Sequence, residues 1–273
     1  MAQFKSGRSV TSIARIQKVS RQFVYKLVSR HRIEGEIVYH ARKPGRPKRE
    51  INEQFATTVV SVRDDTDYGS EKIHFVLKTE GFSVSRRQIQ RILDEKGLTK
   101  PCVKRRGQRT YVRYQWPLSN YMWHTDWSEF NGKQYLAFID DRSRRIMGSG
   151  VFDHATAENT LFLFYQTVLQ NEVCPVIVLS DKGTQFFANT PTKSGERALS
   201  QLEQELNVLG IELWTSRRNH PQTNGKMEKW FDTMKKRLHK HPTLQDFVQW
   251  YNQHRIHHAL SYKTPDVVYR EKL

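Results

Sequence analysis

Hydrophobic positions change their spacing along these 273 residues, and each change marks a different kind of element. Over 10–32 the apolar residues Ile13, Ile16, Phe23, Val24, Leu27 and Val28 fall at helical intervals, with a break at 18–20. This predicts helix, tight turn, helix, with Ser20 capping the second helix. Three more helices are expected at 51–63, 70–80 and 86–96. The last carries Ser85 and Gln88 as a capping box, a buried face of Ile89, Ile92 and Leu93, and Arg86, Arg87 and Arg91 outward.

At 121 the pattern turns to short aromatic and apolar runs. Strands are expected at 121–130, Lys133–Asp140 and Ile146–Phe152, the first two joined by Asn131-Gly132, a strong hairpin signal. A helix at 155–169 capped by Asp153, a strand at 176–179, a helix at 196–209 and a strand at 211–215 follow. After Asn224, a good N-cap, and Gly225, a helix begins whose stripe is Met227, Trp230, Phe231, Met234 and Leu238; a last helix at 244–254 packs through Phe247, Val248 and Tyr251. Three meander strands followed by alternating helices and strands predict an α/β fold, a mixed five-stranded sheet flanked by helices, behind an all-α front.

Charge separates front from back. The chain carries a formal net charge of +17, which points to a polyanionic partner, most often nucleic acid. Residues 1–50 hold 13 Lys and Arg against 3 acids, 51–113 hold 13 against 8, and 114–273 hold 19 against 17. Four parts are therefore expected: a helix-turn-helix at 1–40, a basic linker at 41–50, a second helix-turn-helix with a basic hinge at 51–113, and a nearly neutral core at 114–273. In the first module Arg21, Gln22, Lys26 and Arg30 are the groove-facing residues; in the second, Arg86, Arg87 and Arg91. The alternative for the first is a plain helical hairpin with a solvated basic face. Pro44-Gly45-Arg46-Pro47 excludes helix and is similar to an AT-hook, with Arg46 suited to a minor groove, though it serves mainly as a linker. The basic stretch 100–113 reads equally as a phosphate-contacting hinge or as a solvated linker. With only Cys102 and Cys174, neither a disulfide framework nor a cysteine-based zinc site is available, and no apolar run reaches the length of a membrane span. A cytosolic, nucleoid-associated location is expected.

Three carboxylates stand out. Asp126 lies inside the first strand among apolar neighbours, where an unpaired carboxylate is costly. Asp181 ends the fourth strand beside a glycine turn, and those two strands are neighbours in the expected topology. Glu228 lies one turn into the helix after Gly225, flanked by Lys226 and Lys229. Brought together they make an oxygen-rich site of the kind hard divalent cations favour, and paired Mg²⁺ ions about 4 Å apart serve phosphodiester chemistry. Asp140 and Asp141, adjacent in the turn after the second strand, read as turn-forming residues, and His124 and His220 as packing histidines.

These motifs carry a resemblance. Thr125-Asp126-Trp127, the run Ser180-Asp181-Lys182-Gly183-Thr184-Gln185-Phe186, His220-Pro221-Gln222-Thr223-Asn224-Gly225-Lys226 leading to Glu228, and Trp250-Tyr251-Asn252 leading to Arg255, His257, Leu260 and Thr264-Pro265 resemble the insertion-sequence transposases of the retroviral-integrase superfamily, the DDE group. The resemblance covers 116 to the C-terminus closely and implies a ribonuclease H-like fold. It implies that Asp126, Asp181 and Glu228 hold two Mg²⁺ (or Mn²⁺) ions, Asp126 bridging them. It further implies that Lys226 and Lys229 position phosphates, that water nicks the DNA end, and that the freed 3′ hydroxyl attacks a target strand. The partners it implies are double-stranded DNA, as element ends and target, and further copies of the chain on that DNA. Two departures accompany it: the 46 residues between Asp181 and Glu228 exceed the family's usual spacing, with the surplus at 189–200, and the zinc-binding front of retroviral integrases is missing. The rivals are a catalytically silent or domesticated DNA-binding protein derived from a transposase, and a structure-selective nuclease.

Overall fold

The computed structural model describes residues 2–35, 51–99, 115–188, 197–216 and 225–271. Contacts divide the chain into two units, 1–50 and 51–273. The expected boundary at 113 falls outside the described residues, as do the whole of 41–50 with Arg46, the stretch 100–113, and His220, Gln222 and Asn224 in the approach to Glu228.

In the first unit α1 (Ala2–Lys5) precedes α2 (Val10–Ile16) and α3 (Arg21–Glu34). Ser9 and Ser20 cap the last two, each hydroxyl accepting from the amide three residues on (Ser12 and Phe23), one of the orphan donors at a helix start. Ile13, Ala14, Val24 and Val28 are the buried centre of the hairpin. Ile16 and Phe23, expected in that face, are about half exposed instead. A core this small covers only one strip of each helix.

The second unit opens with α4 (Glu53–Thr66), α5 (Ser70–Thr79) and α6 (Arg86–Glu95) around Val59, Ile73, Leu77, Ile89, Ile92 and Leu93. The Ser85/Gln88 capping box forms as the sequence predicts.

Next come β1 (Met122–Phe130), β2 (Lys133–Asp140), β3 (Ile146–Phe152), α7 (Ala157–Asn171), β4 (Ile177–Ser180), α8 (Gln201–Val208), β5 (Glu212–Thr215), α9 (Gly225–Arg237), α10 (Leu244–Gln253) and α11 (Pro265–Arg270). The sheet order is β3-β2-β1-β4-β5, antiparallel among the first three strands and parallel from β1 through β4 to β5. This is the ribonuclease H-like plan. The hairpin turn has Asn131 at φ 52° and Gly132 at φ 71°, both left-handed, as the tight turn between twisted strands requires. Two expected helix starts move. Thr156 rather than Asp153 caps α7, while Asp153 pairs with Lys133 at 2.5 Å. The helix expected from 196 begins at Gln201, because Ser200 accepts from Glu203 N–H and so sets the first turn.

Period-two alternation sorts the strands between two layers. Trp123, Leu136, Phe138 and Val178 face α7 and α8, with Phe164, Leu202 and Leu206. Tyr135, Ala137 and Ile139 face α9 and α10, where Met227, Trp230, Phe231, Met234, Phe247 and Tyr251 meet them. Helix α9 therefore lies along the face that also carries the even-numbered residues of β1.

Candidate active site

Asp126 projects from β1 on that face, two residues beyond His124, and strand alternation places Asp181 there too. Met122, Ile177 and Leu179 form one cluster, and Asp181 continues the odd-numbered series of β4 one residue past its end. The parallel pairing of His124 with Leu179 sets Asp126 and Asp181 at the same level of adjacent strands. Asp181 is fixed by a local turn, its Oδ1 accepting from Gly183 N–H at 2.8 Å. Glu228 comes from the first turn of α9, held there by the buried neighbours Met227, Trp230 and Phe231, and is itself exposed.

Burial and the charges of Asp181 and Glu228 raise the proton affinity of Asp126 to about 7, against a hydrogen bond from the Trp127 N–H that lowers it. The charges of two carboxylates from distant parts of the chain thus reach Asp126. A hard divalent cation relieves such crowding, and the donor set, all carboxylate oxygen, suits one. Among the described residues no three His, Cys, Asp or Glu side chains stand close enough to share a metal ion. The carboxylates approach without closing into a ligand set.

Beside them lies a buried group that sequence reasoning set aside. Asp141, with no exposed surface, accepts from the Trp116 N–H at 2.7 Å, meets His124 Nε2 at 2.6 Å through Oδ1, and takes the Lys226 ammonium on the same oxygen. His124 is two residues from Asp126 and Lys226 two from Glu228, so one carboxylate joins the strand and the helix that carry the site. Asp140 alone behaves as a turn residue, accepting from Asn120 N–H, Ser143 N–H and Ser143 Oγ. Lys226, expected toward DNA, is 13% exposed and committed to Asp141, whereas Lys229 is 83% exposed and lies 3.6 Å from Asp232. A hydrophobic strand ending in two acids was the available signal. It could not name partners as far off as Lys226.

Of the remaining expected contacts, those among the described residues are exposed, apart from the half-buried Arg91. Arg21, Gln22, Lys26 and Arg30 are exposed on α3. Arg86 and Arg87 are exposed on α6, Arg86 lying 3.9 Å from Glu71, and Arg91 is paired along the helix with Glu95 at 2.9 Å.

Residues 209–265, which hold β5, α9 and α10, match the family model of the integrase core domain. Residues 1–48 match a helix-turn-helix domain, and the two matches agree with the superfamily that the motifs resemble. Comparison with curated proteins gives no match. Among solved structures, the catalytic core domain of BIV integrase is similar at 21% identity and a TM-score of 0.43, over 55% of this chain and 93% of that one. The HTLV-2 integrase catalytic core domain in complex with magnesium is similar at 17% identity and a TM-score of 0.42, over 56% and 99%. A chain of the simian T-cell lymphotropic virus intasome is similar at 15% identity and a TM-score of 0.49, over 78% and 75%. Among the described residues no helix is long and apolar enough to cross a membrane.

Proposed function

We propose that this integrase core is a DDE-type transposase that cleaves and joins DNA ends, with Asp126, Asp181 and Glu228 as the catalytic carboxylates. The observation that supports the reading is the parallel pairing of His124 with Leu179, which puts Asp126 and Asp181 at one level of adjacent strands, with α9 and its Glu228 packed against β1. These residues would hold Mg²⁺ (or Mn²⁺), two ions being expected; bound there, the metal supplies Lewis-acid activation of an attacking oxygen and stabilisation of a leaving one. No zinc is called for, since Cys102 and Cys174 do not make the paired-cysteine motif of a cysteine-based zinc site.

The chain's own residues do the rest. Asp126 is the central carboxylate, on the middle strand of the sheet, with Asp181 on the adjacent strand end and Glu228 on α9. Asp141 holds β1 and α9 in register through His124 and Lys226. Lys229, free of the core, is placed for a DNA phosphate. Arg21, Gln22, Lys26 and Arg30 on α3, and Arg86, Arg87 and Arg91 on α6, serve recognition of the element ends, with Arg46 in the linker between them. Joining two ends calls for more than one copy of the chain on the DNA.

A strand-transfer assay tests this. With Mg²⁺ and DNA carrying the ends that flank its own coding sequence, wild type should nick and join, and Asp126→Asn should do neither. Tight DNA binding with no metal-dependent cleavage would instead mark a DNA-binding protein derived from a transposase. Cleavage of branched DNA lacking those ends would mark a nuclease.

A further inference from the structure

The Trp250-to-His257 motif is only partly used by the fold. Asn252 pairs both backbone groups of Ile146, and Tyr251 sits in the core. The backbone of His257 pairs with Lys263 and Tyr262, but the polar ends of the Arg255 and His257 side chains keep nitrogens without hydrogen-bond partners. After α10 ends at Gln253, the chain crosses to the α4–α6 bundle: Ile256 packs there, donates its N–H to Tyr68 Oη at 2.9 Å, and accepts from Lys72 Nζ at 2.7 Å. This crossing brings Arg255 and His257 to Lys72 on α5.

Lys72 lies 4.7 Å from the centre of the Tyr68 ring, Arg255 lies 5.8 Å from that of Tyr251, and the His257 ring stands 5.2 Å from Tyr251. Aromatic faces on one side leave the donors to be met from another. Among the described residues, Nε of Arg255 and Nε2 of His257 are buried without a hydrogen bond, and no carboxylate pairs with Arg255, Lys72 or His257. Of the acids at the end of α4, Asp67 is paired with Arg237, while Asp65 acts on Tyr68. Charge confirms the one-sidedness. Burial and then the charges of Arg255, Lys72 and Arg144 drive the His257 imidazole down to about 2, and burial with Arg255 lowers Lys72 to about 8. Arg144, in the turn after β2, is held at φ 64°, a conformation non-glycine residues adopt rarely and one that collects at ligand sites.

Like charges gathered partly out of water beside buried donors that lack hydrogen-bond partners are unfavourable on their own, and an oxyanion satisfies both charge and donors. We propose that Lys72, Arg255 and His257, with the charge of Arg144, form a phosphate-binding site between α5 and the loop after α10. A guanidinium fork beside a compact ammonium matches the several oxygens of a phosphate group. The group comes either from a DNA backbone or from free phosphate. The site needs neither divalent metal nor cleavage, so it stands apart from the carboxylate reading.

The test uses the full chain without divalent metal, comparing wild type with Arg255→Gln and Lys72→Gln. Inorganic phosphate, at constant ionic strength, should raise the thermal midpoint of wild type and not that of either variant. Affinity for a duplex of arbitrary sequence should fall about tenfold at low salt in each variant, with the slope of log affinity against log salt shallower by about one. A response in both arms, or in the duplex arm alone, assigns the site to the DNA backbone, and a response to inorganic phosphate alone assigns it to a free anion. If Arg255→Gln does not fold, Lys72→Gln decides, since removing a repelled charge should leave the phosphate-free midpoint no lower than wild type. Equal responses of wild type and Lys72→Gln to both probes would overturn the proposal.

Discussion

His124 and Asp141 meet at 2.6 Å where one is 2% exposed and the other not at all, and the same Asp141 oxygen takes the Lys226 ammonium. Breaking such a buried pair from one side leaves the other charge without its partner, at about 3–5 kcal/mol. Asp141→Ala is therefore expected to lower unfolding free energy by about that amount in denaturant titrations. A cost below about 1 kcal/mol would mean that the network is not holding the strand and helix together.

The two lysines beside Glu228 should separate cleanly. Lys229→Gln should change stability by less than about 0.5 kcal/mol, as exposed substitutions do. It should also make the salt dependence of duplex binding shallower by about one unit of slope. Lys226→Gln should lose stability first, because its ammonium is tied to Asp141 rather than offered to solvent. Equal stability loss in the two variants would contradict this division.

Acid should destabilise the chain through His257. Its folded proton affinity, about 2, lies below the ordinary value of 6.5, so the unfolded state binds the proton more readily. The contribution is fully present above pH 6.5 and is lost progressively as pH falls from there toward 2. Lowering pH from 6.5 to 5 should cost about 2 kcal/mol, and His257→Gln should flatten that part of the stability profile. Parallel profiles for the two proteins would exclude His257 as the cause.

Helix α7 crosses the sheet over a glycine. A Cβ on Gly148 would stand 1.8 Å from Thr167 Oγ1 and 2.8 Å from its Cβ, and Thr167 is fully buried. Gly148→Ala should cost roughly 1–3 kcal/mol by overpacking, read as a lower thermal midpoint. An unchanged midpoint would show that the helix shifts at no cost.

Local signals account for what the sequence alone made legible. Asn131-Gly132, the Ser85/Gln88 box and the alternation in β1 and β2 each act within a few residues, and each element formed where expected. The same is true of the strand and helix placement of Asp126 and Glu228. What stayed hidden depends on contacts far apart in sequence. Asp141 looked like a turn residue because His124, Trp116 and Lys226 are brought to it only by the folded sheet and α9. The short helix α11 was not expected, since what ties it down is tertiary: Arg145 reaches Asp266 at 2.9 Å and covers the Tyr269 ring at 4.8 Å. Thr156 displaced Asp153 as a cap by standing directly at the helix start, a choice between neighbouring residues that composition does not decide.

The central claim is that Asp126, Asp181 and Glu228 share divalent metal. Titration of the full chain with Mn²⁺, followed by calorimetry, tests it most directly. Wild type should bind saturably, about two ions per chain. Asp126→Asn, Asp181→Asn and Glu228→Gln should each weaken that binding by tenfold or more, while Asp126→Asn, relieved of repulsion, unfolds no earlier than wild type without metal. Binding by the three variants indistinguishable from wild type would contradict the account.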